Sequence, residues 1–111
     1  QALLARGAEL LIVPAIAAGE YLDGAAMVSE VRFRESVEWL SRRRVVPVDM
    51  EIALHYGRIV ADLRRNNVLG GRSQNDMWIA ATALRHGAML MTRNAADFNT
   101  IPGLQVLAYG K

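Results

Sequence analysis

Residues 74–98, QNDMWIAATALRHGAMLMTRNAADF, encode a helix, a strand and a polar turn with no break between them. The helix carries an acid in its first turn, Asp76, and stops at Gly87. An apolar strand follows, Ala88 to Met91, and runs into Thr92-Arg93-Asn94 with Asp97 close behind. In a parallel α/β sheet, strand C-termini and helix N-termini collect at one edge, and ligands bind there. A helix start and a strand end would bring Asp76 and Asp97 to that edge, where two carboxylates can share a hard cation such as Mg²⁺. The pattern points to metal-dependent chemistry on phosphates.

The rest of the chain alternates in the same way. Residues 1–7 read as the end of a helix closed by Gly7, and Leu10–Val13 as a short strand. Pro14 then opens a helix through about Met27, proline being favoured at a first helical position. Val31, Phe33, Val37, Trp39 and Leu40 form a helical stripe over Val31–Arg43, and Val45–Val48 is a second strand. Met50–Asn66 is amphipathic through Ile52, Tyr56, Ile59, Val60 and Leu63. Asn66-Asn67 and Gly70-Gly71 mark a loop before the Gln74–His86 helix, and a last strand falls at Leu104–Leu107. Strands alternating with helices predict an α/β fold, a short parallel sheet flanked by helices.

Composition narrows the function. A chain of 111 residues that is 52% hydrophobic suits one domain with its own core. With no Cys, disulfides, thiolate metal sites and Cys nucleophiles are excluded. The longest apolar stretch, Leu10 to Gly19, is shorter than the roughly 20 residues that span a bilayer. Glu9 at its edge argues against a secretory leader, and a cytoplasmic protein is expected. The net charge is only +2, yet the basic side is twelve Arg against the single Lys111. Arg matches phosphate geometry, which suggests nucleic acid, and a GC-rich coding bias would produce the same excess.

Each candidate site residue has a plainer alternative. Glu20, among Ala17, Ala18 and Gly19, is a solvated helix acid or a ligand at a place where another group can approach closely. Ser73-Gln74-Asn75-Asp76 fits the S-x-x-D capping pattern, so Asp76 is a capping partner, a metal ligand, or both. Asp97 closes Asn94-Ala-Ala-Asp97, a possible short helical turn, while Thr92 and Asn94 either serve the site or form turn hydrogen bonds. His55 and His86 lack a second histidine at ligand spacing, and no phosphate-loop or serine-nucleophile motif is present. Arg42-Arg43-Arg44 reads as a solvated helix end or a phosphate contact, and Trp39 and Trp78 as core.

Taken in order, VPAIAAGEYLDGA, WLSRRRVVPVD, NDMWIAATALRHGAMLMTRNAADF and IPGLQVLAY resemble the PIN-domain family, in particular the VapC-type toxins of bacterial toxin–antitoxin pairs. The resemblance covers most of the chain and is most specific around Asp76 and Asp97. It implies a metal-dependent endoribonuclease in which acidic residues at one sheet edge hold Mg²⁺ or Mn²⁺. Glu20 matches the acid of the early helix, Asp76 the one opening the late helix and Asp97 the one before Phe98; Thr92 and Asn94 match the polar turn. It also implies a homodimer, a VapB-type antitoxin as partner and RNA as substrate. A predominantly acidic groove is awkward for RNA without metal, so Arg72, Arg85 and Arg93 near the site are candidate phosphate contacts. The alternative is a catalytically inactive PIN-like module that binds a protein partner or nucleic acid.

One departure supports that alternative. The family begins with a strand ending in Asp, placed between the 10–13 and 88–92 strands, and this chain shows no such pattern. The expectation is a single PIN-like domain over 1–111, truncated at its N-terminus relative to the family, with two inner sheet edges left open. By family analogy, either the natural protein carries further residues upstream or the gene product is truncated, and in the second case such edges would pair with a second chain. Size-exclusion chromatography should then show a rearranged or strand-sharing dimer; a well-folded monomer would count against it.

Overall fold

The computed structural model describes residues 3–6 and 10–108. Five strands, β1 (Leu3–Arg6), β2 (Leu10–Pro14), β3 (Arg44–Val46), β4 (Met89–Thr92) and β5 (Val106–Ala108), form one sheet. Four helices flank it: α1 (Ala15–Val28), α2 (Glu30–Ser41), α3 (Met50–Arg65) and α4 (Gln74–His86). The strand order is β3-β2-β1-β4-β5. β2 pairs with β3 and β4 with β5 in parallel, whereas β1 is antiparallel to both of its neighbours. β2 and β4 therefore run the same way, and the C-terminal ends of β2 to β5 meet at one edge.

The α/β architecture is the expected one, but the sheet is mixed because of its middle strand. Residues 3–6 are not the end of a helix. They fill the central slot between β2 and β4, with Leu4 opposite Ile12 on one side and Leu90 on the other. Leu-Leu-Ala-Arg has good intrinsic helix propensity, but so short a segment cannot sustain a helix by itself. Pairing on both sides satisfies backbone groups that would otherwise line two buried edges, and it buries Leu4 completely (0% exposed). The predicted open inner edges of β2 and β4 are thus both paired. Residues 1, 2 and 7 of the predicted helix lie outside the described residues.

Local signals set the helix boundaries. Ser29 ends α1 in an extended conformation and caps α2, its Oγ accepting the Arg32 N–H at 3.0 Å. Asp49 does the same for α3, accepting the Ile52 N–H at 3.0 Å. α4 stops at Gly87 in the left-handed conformation (φ 60°), where a residue without Cβ avoids strain. The core joins Leu4, Ile12, Val13 and Leu90 of the sheet to Ile52 and Leu63 of α3 and Met77 and Ile79 of α4. α3 and α4 are locked further by Tyr56 stacked on Trp78, centroids 3.9 Å apart at 14°. Trp39 packs edge-on against Tyr21 and carries the Arg43 guanidinium 4.3 Å above its ring. Arg42 is paired with Glu38 at 2.8 Å. Two members of the basic run therefore have partners within the fold. Among the described residues no helix is long and apolar enough to cross a membrane.

Burial of Leu4 in the middle strand gives a direct check. Leu4→Ala should destabilise the protein by about 2–4 kcal/mol in urea unfolding, the range for a buried leucine. An exposed helix end would register within about 0.5 kcal/mol.

Candidate active site

Because β2 and β4 are parallel to one another, the start of α1, the start of α4 and the turn after β4 converge on one edge of the sheet. Each brings an acid. Ser73, extended at φ −74° and ψ 148°, caps α4 by accepting the Asp76 N–H at 3.1 Å. That hydrogen bond fixes the first turn of the helix, on which half-buried Asp76 faces the cleft at the edge. Capping and site membership are therefore compatible at this residue.

The turn after β4 is built by Thr92 and Phe98. Thr92 is buried (3% exposed), and its Oγ1 accepts the Asn94 N–H at 3.1 Å, which bends the chain out of the strand. A 3₁₀ turn, Ala95–Asp97, follows, held by Asp97 N–H to Asn94 O and Phe98 N–H to Ala95 O, both 3.0 Å. Phe98 is sunk in the core (2% exposed), so the preceding Asp97 remains at the surface. The Asn94 side chain makes no capping bond and is exposed. Thr92 thus shapes the turn from inside, while Asn94 sits on its outer surface.

Arg72 ties the two halves of the site together. Its Nε donates to the main-chain oxygen of Asp97 at 3.0 Å. Its Nη1 donates to the carbonyls of Val68 and Leu69, the latter at 3.3 Å. Gly71, Arg72, Ser73, Asp76 and Asp97 line a cleft of about 410 Å³. Glu20 lies on the α1 side, in a second cleft of about 340 Å³ with Ala15, Ile16, Gly19, Asp23 and Asn75. The Asn75 Nδ2 donates to Glu20 Oε2 at 3.1 Å and joins α1 to the first turn of α4.

The electrostatics agree with this grouping. Burial, first, pushes the Asp76 carboxyl above its ordinary range; the Ser73 hydrogen bond opposes the shift, and the charges of Asp97 and Glu20 add to it. Asp97 and Glu20 therefore both bear on Asp76 without the three sitting in a single cage. Among the described residues no group of three or more His, Cys, Asp or Glu side chains is placed to hold an ion. A smaller donor set still suits a hard cation, since Mg²⁺ keeps several waters and takes one or two carboxylates together with substrate phosphates. Asp76 and Asp97 on one cleft match that requirement, and the raised Asp76 carboxyl marks negative charge that a cation would offset.

Of the predicted phosphate contacts, Arg72 is committed to three carbonyls, and Arg85 stands in the last turn of α4. At 1.5 Å per residue Arg85 is roughly 13 Å along the helix axis from Asp76, so it does not belong to the cleft. Arg93 is exposed on the turn after β4. Asn75 and Asp23 were not singled out from the sequence. Asp23 could have been found three residues after Glu20, on the same helix face. Asn75 shares the first turn of α4 with Asp76, but its reach to Glu20 spans 55 residues of chain and leaves no local signal.

The PIN-domain model matches residues 1–104, and the chain belongs to the PIN-domain family. Among its relatives, Ribonuclease VapC1 of Rickettsia felis is 43% identical over 63 residues, 57% of this chain and 46% of that protein. The tRNA(fMet)-specific endonuclease VapC of Salmonella typhimurium is 34% identical over 68 residues, 61% of this chain and 50% of that protein. The chain thus spans about half the length of the curated relatives it matches. Among solved structures, VapBC-1 from nontypeable Haemophilus influenzae superposes with a TM-score of 0.81 at 29% identity, over 97% of this chain and 80% of that one. DNA-bound VapBC from Salmonella typhimurium gives 0.79 at 27%, over 87% and 74%.

A carboxyl with a raised pKa has a definite effect on stability. The folded protein keeps the Asp76 proton longer than the unfolded chain does, so stability is lost as pH rises through the interval between the ordinary value of 3.8 and the raised one. In metal-free buffer Asp76→Asn should therefore be more stable than the parent at pH 7. The advantage should disappear below the ordinary carboxyl range. Urea unfolding of both proteins at the two pH values checks the sign.

Proposed function

We propose that the protein is a metal-dependent endoribonuclease of the VapC type, the toxin of a toxin–antitoxin pair, cleaving RNA phosphodiester bonds. The observation that carries the reading is the meeting of Asp76 and Asp97 on one cleft, with Glu20 close enough to raise the Asp76 carboxyl further. The printed names of its relatives, a VapC ribonuclease and a tRNA-specific VapC endonuclease, point the same way. Asp76 and Asp97 would hold Mg²⁺ or Mn²⁺, and Glu20, kept near them by Asn75, would face the remaining side. The chemistry such a cation supplies is Lewis-acid chemistry, making water a stronger acid and offsetting charge on phosphoryl oxygens. The carboxylates confine charge to the cleft, Ser73 and the α4 N-terminus orient Asp76, and Thr92 and Asn94 shape the turn that carries Asp97. No Ser or His nucleophile is required.

In this reading the partners are an RNA substrate, a second copy of the chain and a VapB-type antitoxin. The solved VapBC complexes that share the fold support the last of these. Cellular RNA as substrate puts the activity in the cytoplasm. A second reading, a catalytically inactive PIN-like module that binds a protein or nucleic acid, is favoured by one observation: the described residues do not enclose an ion with three acids.

Cleavage of a mixed RNA pool separates the two. The parent should cut with Mn²⁺ and not with EDTA. Asp76→Asn and Asp97→Asn, purified identically, should each lose roughly a hundredfold or more, the scale on which removing a charge-stabilising group registers. RNA binding without metal-dependent cutting would favour the inactive module.

A further inference from the structure

We infer that Arg72 is a positioning residue of the acidic cleft, holding Asp97 opposite Asp76 by its main-chain carbonyl, and is not a contact for RNA phosphate. The inference rests on the metal-nuclease reading and adds to it the device that sets the spacing of the two acids. Asp76 is placed by α4 and its Ser73 cap, whereas Asp97 is exposed at the end of a 3₁₀ turn of three residues, which has few contacts of its own on the cleft side beyond Arg72. The loop before α4 and the turn after β4 are separated by the whole of α4 and β4. Arg72 spans that separation. One edge of its guanidinium grips the Asp97 carbonyl, and Nη1 grips Val68 and Leu69 in the loop.

The choice of acceptor matters. Arg72 lines the cleft with Asp76 and Asp97, yet among the described residues it forms no ion pair with either carboxylate. An arginine bound to the Asp97 carboxylate would occupy the oxygens a cation needs. Bound to the carbonyl, it orients Asp97 and leaves the carboxylate for the cation, while its positive charge stays beside an acidic cleft. The planar fork reaches carbonyls of two segments at once; a lysine ammonium, a point charge on a flexible stem, cannot hold that geometry.

The test reads cation binding and local backbone order separately. Mn²⁺ titration by calorimetry, without RNA, should show Arg72→Ala binding ten- to a hundredfold more weakly than the parent, the usual loss when an outer-shell partner of a ligand is removed. Arg72→Lys, which keeps the charge, should fall between the two and also guards against a folding failure of the alanine variant. Hydrogen exchange of the metal-free proteins should show the Asp97 and Phe98 amides losing protection in both variants, while the α4 amides keep theirs. The salt dependence of RNA binding in EDTA should keep its slope; a lost phosphate contact would lower it by about one. Unchanged Mn²⁺ affinity in both variants, or unchanged Asp97 and Phe98 exchange, overturns the inference. A parent that does not bind Mn²⁺, or an Asp76→Asn protein that binds it equally well, overturns the metal reading, and exchange alone then decides whether Arg72 holds the turn.

Discussion

Hydrogen bonding on both sides of β1 joins a β3–β2 half of the sheet to a β4–β5 half. The acidic cleft depends on that joint. Glu20 follows β2, while Asp76 and Asp97 flank β4, so the acids are brought together across the middle strand. A central strand in either direction would close the sheet. The antiparallel direction has one consequence for chemistry: the end of β1 nearest the cleft is Leu3, opposite Met91, and no residue of Leu3–Arg6 is acidic. The acid that the family resemblance expects at a first-strand terminus has no counterpart in β1.

What remains is a site of concentrated negative charge. Burial of Asp76 and the proximity of Asp97 and Glu20 cost the folded protein stability at neutral pH, as its raised carboxyl records. A hydrogen bond from the Ser73 side chain to the carboxyl and the positive end of the α4 dipole offset part of that cost. Functional sites tolerate such cost where a ligand relieves it. Under the proposed function the same logic applies to Arg72, which is turned to carbonyls: an ion pair with Asp97 would improve stability and oppose cation binding.

Much of this was legible in the sequence because its signals are local. The α4 boundaries, Gln74 to His86, follow from the Ser73 cap and Gly87, and the structure reproduces both. Placing Asp76 and Asp97 at one edge required only the helix–strand–turn order. Residues 3–6 carry a helical signal because propensity is local, whereas the slot they fill between β2 and β4 is created by distant segments. Arg85 was grouped with the site by charge, although α4 carries it to the opposite edge. Asn75 and Arg72 make contacts 55 and 25 residues away, which no pattern along the chain announces.

By itself, the sequence determined the α/β alternation and the bounds of α4, which are written in local residue types and their periodicity, while its motif blocks carried the family resemblance that made Glu20, Asp76 and Asp97 candidate acids. Tertiary structure alone decided the direction of the central strand, the pairing of Glu20 with Asn75 and the grip of Arg72 on the Asp97 carbonyl. These depend on which backbone edges and carbonyls are left unsatisfied once the layers have packed. That question has no answer until distant segments share one interior.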